Sequence, residues 1–241
     1  MTDFVYGRHA VYHLIAAGRR KAIRLHLLKS LENEEGALVE LARKKGLSLV
    51  FCDPTFFSKK LGTTSNHQGV LLETESYPLV DADSLLQSSF LLLLDEIQDP
   101  QNLGALCRSA HLFGVEGVVL SESRSAPIGP GTCQAAVGAV EYLQIAKVSS
   151  IANYLELLKK NDFWAYGADP EAAKTVGDET FPKKVVLVIG SEEKGLRRLV
   201  RERCDILLKI PMVDGKIGSL NASVAGGILL YEISRRKYQK S

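Results

Sequence analysis

Three segments of the sequence combine glycine with polar side chains just after a predicted strand. The first runs from Asp95 to Gly104 and is followed by Arg108. The second covers Gly190 to Leu196, and the third covers Pro211 to Ser223. Ligands of open α/β sheets bind beyond the carboxyl ends of the strands. These segments are therefore the first candidates for a functional site.

The first segment could bind an anion. Asn102 is predicted to be the N-cap of a helix, and Arg108 lies four residues after Gly104 on the same helix face. Because helical side chains lean toward the N-terminus, Arg108 can reach over Gly104 to the helix start. Free amides and a guanidinium at that point suit a phosphate. A capped helix with a surface arginine would give the same pattern.

The second segment allows two interpretations. Gly190 would let a ligand approach the backbone at the strand end, and Glu192 could bind polar ligand groups or orient an arginine. Gly190 and Gly195 could equally serve only to turn the chain.

The third segment opens a helix with two internal glycines. Ser219 and Asn221 stand at the helix start, and Gly226 and Gly227 follow within its first turns. Each glycine costs a helix roughly 1 kcal/mol relative to alanine. Close packing against another helix or a ligand is therefore expected there.

Motifs of several enzyme classes are missing from the sequence. No G-x-G-x-x-G follows a strand and no G-x-x-x-x-G-K-[ST] occurs, which argues against dinucleotide dehydrogenases and P-loop NTPases. His67 and His111 have no metal-ligand partner at short spacing, and the four cysteines form no C-x-x-C pair. We predict no metal site, and the scattered cysteines fit a reducing cytoplasm.

The elements that must position these segments alternate between strand and helix patterns. Nearly continuous apolar runs such as Phe90 to Leu94 are typical of parallel strands buried on both faces. The sequence therefore predicts an α/β fold with a parallel sheet, and no apolar run reaches the ~20 residues of a membrane helix. The further predicted strands are Val115 to Leu120, Leu143 to Val148, Phe163 to Ala168, Val185 to Ile189 and Ile206 to Ile210.

The N-terminal part forms a second alternating pattern. Its predicted helices run from about Gly7 to Ala17, from about Glu32 to Lys45 and onward from about Pro54, and its predicted strands are Ile23 to Leu27, Leu47 to Phe51 and Val70 to Glu73. Proline, aspartate and serine then interrupt any period from Tyr77 to Ser89. We predict an N-terminal domain over 1–77, a linker over 78–88 and a second domain over 89–241.

Basic residues concentrate near the N-terminus, although the net charge of the whole chain is only +2. Such a cluster can form an RNA-binding face that contacts phosphates, and a solvated helix face would give the same pattern. The candidate RNA-binding residues are Arg8, Arg19, Arg20, Lys21 and Arg24.

Taken together and in this order, the three segments resemble the signature motifs of the SpoU/TrmH family of RNA ribose 2′-O-methyltransferases. They match N-x-G-x-x-x-R at Asn102, Gly104 and Arg108, G-x-E-x-x-G at Gly190, Glu192 and Gly195, I-P-M at Ile210 to Met212, and S-L-N-x-S-V-A at Ser219 to Ala225. The N-terminal part is similar to the family's substrate-binding domain at Gly7 to Val11 and His67 to Val70. One departure is that Val213 and Asp214 both separate the Pro-Met pair from the next glycine, where the family pattern has a single residue.

The resemblance implies a parallel-sheet methyltransferase domain with a trefoil knot of the SPOUT type. It also implies a small N-terminal α/β domain that binds RNA and resembles a ribosomal-protein fold, S-adenosyl-L-methionine as the cofactor, and a homodimer. Cofactor contacts are implied at Gly190, Ile210 and Leu220. The catalytic surface is implied to contain Asn102, Arg108, Glu192, Ser219 and Asn221.

The arrangement is most similar to bacterial enzymes that methylate a guanosine ribose of 23S ribosomal RNA. Transfer RNA as the substrate, and a non-catalytic RNA-binding factor for ribosome assembly, are the alternatives. In the reaction that the family carries out, a ribose hydroxyl loses its proton as it attacks the methyl group. Arg108 could accept that proton, at a high cost because a guanidinium stays protonated in proteins. It could instead clamp the substrate phosphate, and the sequence leaves both roles open.

Overall fold

The computed structural model describes residues 2–32, 36–62, 65–213 and 219–238. Asp214 to Gly218, which include most of the lengthened loop, lie outside the described residues. The chain forms two compact units. The first combines Met1–Pro78 with Pro127–Tyr142, and the second combines Leu79–Ala126 with Leu143–Ser241.

A four-stranded sheet forms the centre of the first unit. Its strands are β1 (Thr2–Tyr6), β2 (Ala22–Leu28), β3 (Ser48–Cys52) and β4 (Val70–Glu75), and its helices are α1 (Arg8–Ala17), α2 (Ala37–Lys44), α3 (Pro54–Leu61) and α5 (Pro130–Ala135). The strand order is β1-β4-β2-β3, with β2 and β3 parallel and the other pairs antiparallel. The alternating α/β pattern predicted for this part of the chain is confirmed.

Strand β2 shows why its sequence pattern was only partly informative. Ile23, Leu25 and Leu27 alternate as expected, and Leu25 and Leu27 are buried, but Ile23 is exposed. The pairing of β2 with β4 shifts register between Ala22 and Arg24. A shift of this kind turns the preceding side chains to the other face of the sheet.

The segment Pro127–Tyr142 belongs to the first unit, where it forms buried polar contacts with N-terminal residues. The Arg20 guanidinium forms an ion pair with the Glu141 carboxylate, with Nη2 and Oε1 2.5 Å apart. Arg20 also donates to the sulfur of Cys133. The Tyr77 hydroxyl donates to the carbonyl oxygen of Val140.

The second unit is built on a seven-stranded sheet. Its strands are β5 (Phe90–Asp95), β6 (Gly117–Ser121), β7 (Gln144–Val148), β8 (Trp164–Ala168), β9 (Lys174–Thr175), β10 (Val185–Gly190) and β11 (Ile206–Lys209). Its helices are α4 (Pro100–Leu112), α6 (Ile151–Lys159), α7 (Arg198–Arg203) and α8 (Ala222–Tyr238). The strand order is β7-β6-β5-β10-β8-β11-β9, and all pairs are parallel. The predicted parallel sheet is confirmed.

Part of the predicted linker packs into the second unit. A 3-10 helix spans Ala82–Gln87, and Leu85 in it is fully buried in a core cluster with Leu91 and Leu93 of β5. Gly117 leaves room for Leu85, because a Cβ atom at Gly117 would lie 2.7 Å from a Leu85 methyl group. Burial of Leu85 stabilises this segment by about 2 kcal/mol relative to leaving the side chain in water.

Candidate active site

Helix α4 begins at Pro100 and has Asp99 as its N-cap. The Asp99 carboxylate accepts a hydrogen bond from the Gln101 amide at 3.0 Å. The prediction that Asn102 caps this helix is wrong, because proline favours the first helical position and thereby places the cap at Asp99. Asn102 is the third residue of the helix, so its side chain can serve a different segment.

That segment is the turn after β10, which carries Glu192. The Asn102 side-chain amide donates to Glu192 Oε1 at 2.5 Å, and Asn102 is buried. Strands β5 and β10 are parallel neighbours, with Gly190 opposite Asp95. The segments that follow the two strands therefore leave the same edge of the sheet. The structure thus brings together one predicted catalytic residue from each of the first two motifs.

The turn that carries Glu192 depends on two glycines. Ser191 and Gly195 exchange two backbone hydrogen bonds of 2.9 and 3.1 Å, which close the turn. A Cβ atom on Gly190 would lie 2.1 Å from the carbonyl carbon of Gly195. Gly195 itself has a φ of 62°, in the left-handed region that glycine tolerates best. Both glycines are required by the turn, and a cofactor contact at Gly190 stays a prediction.

Asn221 caps the start of α8, the helix that opens the third motif. Its Oδ1 accepts hydrogen bonds from the Ser223 amide at 2.9 Å and from the Ser223 hydroxyl at 2.6 Å. Within the helix, a Cβ atom on Gly226 would lie 2.3 Å from a methyl group of Leu106 in α4. The predicted close packing of this glycine is confirmed, and the partner is a helix.

A cavity of about 490 Å³ lies beyond the carboxyl ends of β8, β10 and β11. Its volume falls in the range of about 300–1,000 Å³ that is typical of small-molecule sites. All three predicted cofactor-binding residues line it, as do two of the predicted catalytic residues. These five residues are Gly190, Ile210, Leu220, Glu192 and Ser219.

Arg108 is not among the residues that line this cavity. Its side chain is on the exposed surface of α4. Within the described ranges it makes no hydrogen bond or ion pair. We expected Arg108 to reach over Gly104 to a helix start at Asn102. The helix begins two residues before Asn102, so its start lies further from Arg108 than expected. Within one chain, the structure does not bring Arg108 to the cavity.

Asp95, Glu96 and Arg197 form a further polar cluster at the edge of the sheet. The sequence motifs did not single it out. Asp95 ends β5 with a fully buried side chain and accepts hydrogen bonds from the Arg197 side chain at 2.8 Å and the Arg197 amide at 3.1 Å. The Asp95 carboxylate raises the pKa of Arg197 above its ordinary value. Glu96 approaches the same guanidinium at 3.1 Å. The only sequence signal is that Asp95 is the first polar residue after an apolar strand.

The predicted RNA-binding residues divide into two groups. Arg8, Lys21 and Arg24 are exposed, and Arg19 is half-buried with its Nε donating to the Glu141 carbonyl oxygen at 2.8 Å. Arg20 is 5% exposed and paired with Glu141. The prediction that Arg20 contacts RNA is therefore wrong, because the hydrogen-bonding groups of its guanidinium are buried inside the first unit.

The described residues contain no cluster of three or more histidine, cysteine or carboxylate side chains that could hold a metal ion. No helix among them is both long and apolar enough to span a membrane.

The sequence matches two family models that together cover most of the chain. Residues 89–231 match the SpoU rRNA Methylase family, and residues 4–80 match the model for RNA 2′-O ribose methyltransferase substrate binding. The chain is also 34% identical to the 23S rRNA (guanosine-2′-O-)-methyltransferase RlmB of Coxiella burnetii, over 97% of this chain and 95% of that protein. It is 35% identical to YacO of Bacillus subtilis, assigned to the TrmH family of tRNA/rRNA methyltransferases, over 98% of this chain and 96% of YacO.

Solved structures agree with this relationship at the level of the fold. The SpoU methyltransferase AviRb of Streptomyces viridochromogenes, in complex with the cofactor AdoMet, matches with a TM-score of 0.82 at 24% identity. The match covers 97% of this chain and 89% of AviRb.

The fold and site define an α/β enzyme with a small-molecule cavity at the carboxyl edge of a parallel sheet. The chain belongs to the SpoU/TrmH family and is an S-adenosylmethionine-dependent RNA 2′-O-methyltransferase. The trefoil knot that this family implies for residues 89–241 stays a prediction.

The cavity fits the chemistry of S-adenosylmethionine. Leucine and isoleucine side chains offer an apolar surface for a flat base, and Leu220 and Met212 are partly exposed beside it. Carboxylates in the lining suit a ligand with a positive sulfonium and an amino group. Those carboxylates belong to Asp169, Glu171, Glu192 and Glu193.

Proposed function

We propose that this enzyme methylates the ribose 2′-hydroxyl of a guanosine in 23S ribosomal RNA, in the cytoplasm. The Asn102–Glu192 hydrogen bond beside the cavity is the observation that carries the proposal, because it joins two catalytic motifs at one point. The RlmB proteins that match over nearly the full chain support 23S RNA as the substrate.

Each predicted site residue has a proposed task. Gly190, Ile210 and Leu220 hold the cofactor, which supplies an activated methyl group when bound. Asn102 and Glu192 orient the reacting ribose, and Ser219 and Asn221 complete the surface that faces it. Arg108 binds the substrate phosphate next to the attacking hydroxyl, so that the phosphate can accept the proton.

We propose a homodimer formed through α8 and the end of α4. Val224, Ile228 and Tyr231 are exposed apolar side chains at the spacing of one helix face, and Leu112 at the end of α4 is 67% exposed. Arg108 precedes Leu112 by four residues and shares its face of α4. A homodimer made through this patch would therefore turn Arg108 toward the second chain.

The N-terminal domain, which we place at residues 1–77 before a linker over 78–88, is proposed to bind the RNA. The exposed Arg8, Lys21 and Arg24 contact phosphates, with Arg19 beside them. This binding should weaken as salt rises, because each phosphate contact releases counterions.

Replacement of Arg108 by lysine tests the proposed chemistry. Lysine keeps the charge but loses the planar fork that can bind a phosphate bidentately. We expect methyl transfer to unmodified 23S RNA to fall by roughly a hundredfold or more, since misplaced reacting groups lose about that factor. S-adenosylmethionine affinity and the melting temperature should stay close to wild type.

Arg198→Lys is the matched control, because Arg198 is exposed and pairs with Glu202 one turn further along its helix. Near wild-type transfer by Arg108→Lys would remove Arg108 from the site. Transfer to tRNA with none to 23S RNA would favour the alternative substrate.

A further inference from the structure

Two segments of the active site meet at a second point besides Asn102 and Glu192. Arg197 comes directly after the turn Ser191–Leu196, and its side chain reaches back to the end of β5. There it bonds Asp95, whose side chain is fully buried, and its other terminal nitrogen lies 3.1 Å from Glu96. Arg197 therefore connects the turn that carries Glu192 to the segment that leads into Asn102.

The backbone at Glu96 adds an independent observation. Glu96 has a φ of 63°, a conformation that is unfavourable for any residue with a Cβ atom. Its carboxylate lies between two guanidinium groups, those of Arg197 and Arg124. Strained residues of this kind cluster at functional sites and persist only where their surroundings hold them.

Burial and position separate this cluster from an ordinary surface ion pair. The Asp95 carboxylate accepts hydrogen bonds from both the side chain and the backbone amide of Arg197. The turn is therefore held through its backbone as well as through a guanidinium. The Arg197 side chain is still 43% exposed, whereas the side chain of its neighbour Arg198 is 85% exposed and pairs with Glu202. Of these two adjacent arginines, Arg197 is the one that bonds the β5 end.

We propose that Arg197 is a positioning residue for methyl transfer. With Asp95 and Glu96, it holds the Ser191–Leu196 turn in the conformation that lines the cavity and presents Glu192 to Asn102. The inference rests on the assignment of the cavity to S-adenosylmethionine.

Arg197→Met and Arg198→Met form the central test in the full-length protein. The Arg197 variant should bind S-adenosylmethionine at least about fivefold more weakly and lose roughly tenfold or more in kcat, because small displacements of reacting groups are costly. KM for RNA should stay within about twofold, since the phosphate contacts proposed for the N-terminal domain do not involve this turn. Arg197→Lys should recover part of the loss. Arg198→Met should match wild type in all three quantities.

Glu96→Gly separates positioning from folding. Glycine relieves the left-handed strain, so the melting temperature should stay unchanged or rise, while kcat falls because Arg197 loses one of its two carboxylates. If Glu96 only stabilised the fold, the melting temperature and kcat would change in the same direction.

Wild-type cofactor affinity and turnover in Arg197→Met would overturn the inference. If that variant unfolds, unchanged turnover in Glu96→Gly would overturn it instead. If wild-type protein binds S-adenosylmethionine but methylates neither 23S RNA nor tRNA, the proposed substrate fails. The S-adenosylmethionine affinities of Arg197→Met and Arg198→Met, measured by calorimetry, then still decide the role of Arg197.

Discussion

The Arg20–Glu141 pair of the first unit and the Arg197–Asp95 pair of the second unit each connect segments that are distant in sequence. In the first unit, the side chains of Arg20 and Glu141 are both 1% exposed. In the second unit, Asp95 is fully buried while the side chain of Arg197 is 43% exposed. The bonds are chemically alike, but one is enclosed by protein and the other lies at the base of the turn that lines the cavity.

The difference in burial implies that the two pairs control different properties of the protein. Arg20 lies near the Tyr77 ring and also contacts Cys133, and its Nη1 has no hydrogen-bond partner within the described ranges. A buried ion pair is weak evidence of net stability, but removing one partner leaves an uncompensated buried charge and is strongly destabilising. We therefore expect loss of the Arg20 pair to affect folding and loss of the Arg197 pair to affect the reaction.

The largest expected effect on stability comes from Arg20→Met. Removing the arginine leaves the Glu141 carboxylate buried without its cation, which should lower the free energy of unfolding by about 3–5 kcal/mol. Urea denaturation measures this loss. In Arg20→Met/Glu141→Leu no charge remains buried, so most of the loss should be recovered. A double variant as unstable as the single one would contradict the interpretation, as would a single variant as stable as wild type.

Thiol reactivity compares the two units and needs no substitution in the active site. Burial raises the pKa of Cys133 to about 11 and that of Cys204 to about 12, so at pH 8 both thiols should be alkylated far more slowly than an exposed cysteine. Because the Arg20 guanidinium lowers the pKa of Cys133, its loss alone would slow alkylation of that thiol further. Faster alkylation of Cys133 in Arg20→Met, with Cys204 in the second unit still protected, is therefore the expected sign that the first unit opens. Mass spectrometry of iodoacetamide-treated protein follows each site. Equal exposure of both thiols would show that the variant unfolds globally rather than in the first unit.

The smallest expected effect concerns Asn221, whose interactions lie at the surface. Asn221→Ala removes the helix cap and should cost about 1 kcal/mol, whereas Asn221→Asp keeps an accepting oxygen and should cost almost nothing. Asp at this position lacks the side-chain amide hydrogens, so methyl transfer should still fall if Asn221 faces the ribose. Full activity in the aspartate variant would leave Asn221 with a capping role only.

Much of the fold follows from local sequence patterns, because long apolar runs and glycine-terminated helices are short-range signals. The strands predicted at Phe90 to Leu94 and Val185 to Ile189 lie almost where the structure has them. Strands β1 and β9 were not predicted. Strand β9 has two residues, and neither strand shows a long apolar run. The strand order also depends on contacts between distant residues, which periodicity does not report.

The candidate site was predictable where it is made of motif residues and unpredictable where it depends on burial. The motifs imply that Asn102 and Glu192 share a catalytic surface, which stays a prediction, and the structure places their side chains in contact. The capping role given to Asn102 was wrong. Arg20 looked like its neighbours Arg19 and Lys21, because its buried partner Glu141 lies 121 residues away in sequence. Arg197 similarly shows no local difference from Arg198.

Ribose-methylation mapping of total RNA most directly tests the central claim that this enzyme modifies a guanosine of 23S ribosomal RNA. RNA from a strain that lacks the gene should lose the 2′-O-methyl group at one 23S guanosine, and purified protein with S-adenosylmethionine should restore it. Arg108→Lys should fail to restore it. An unchanged 23S methylation pattern, or loss of the mark from a tRNA instead, would contradict the account.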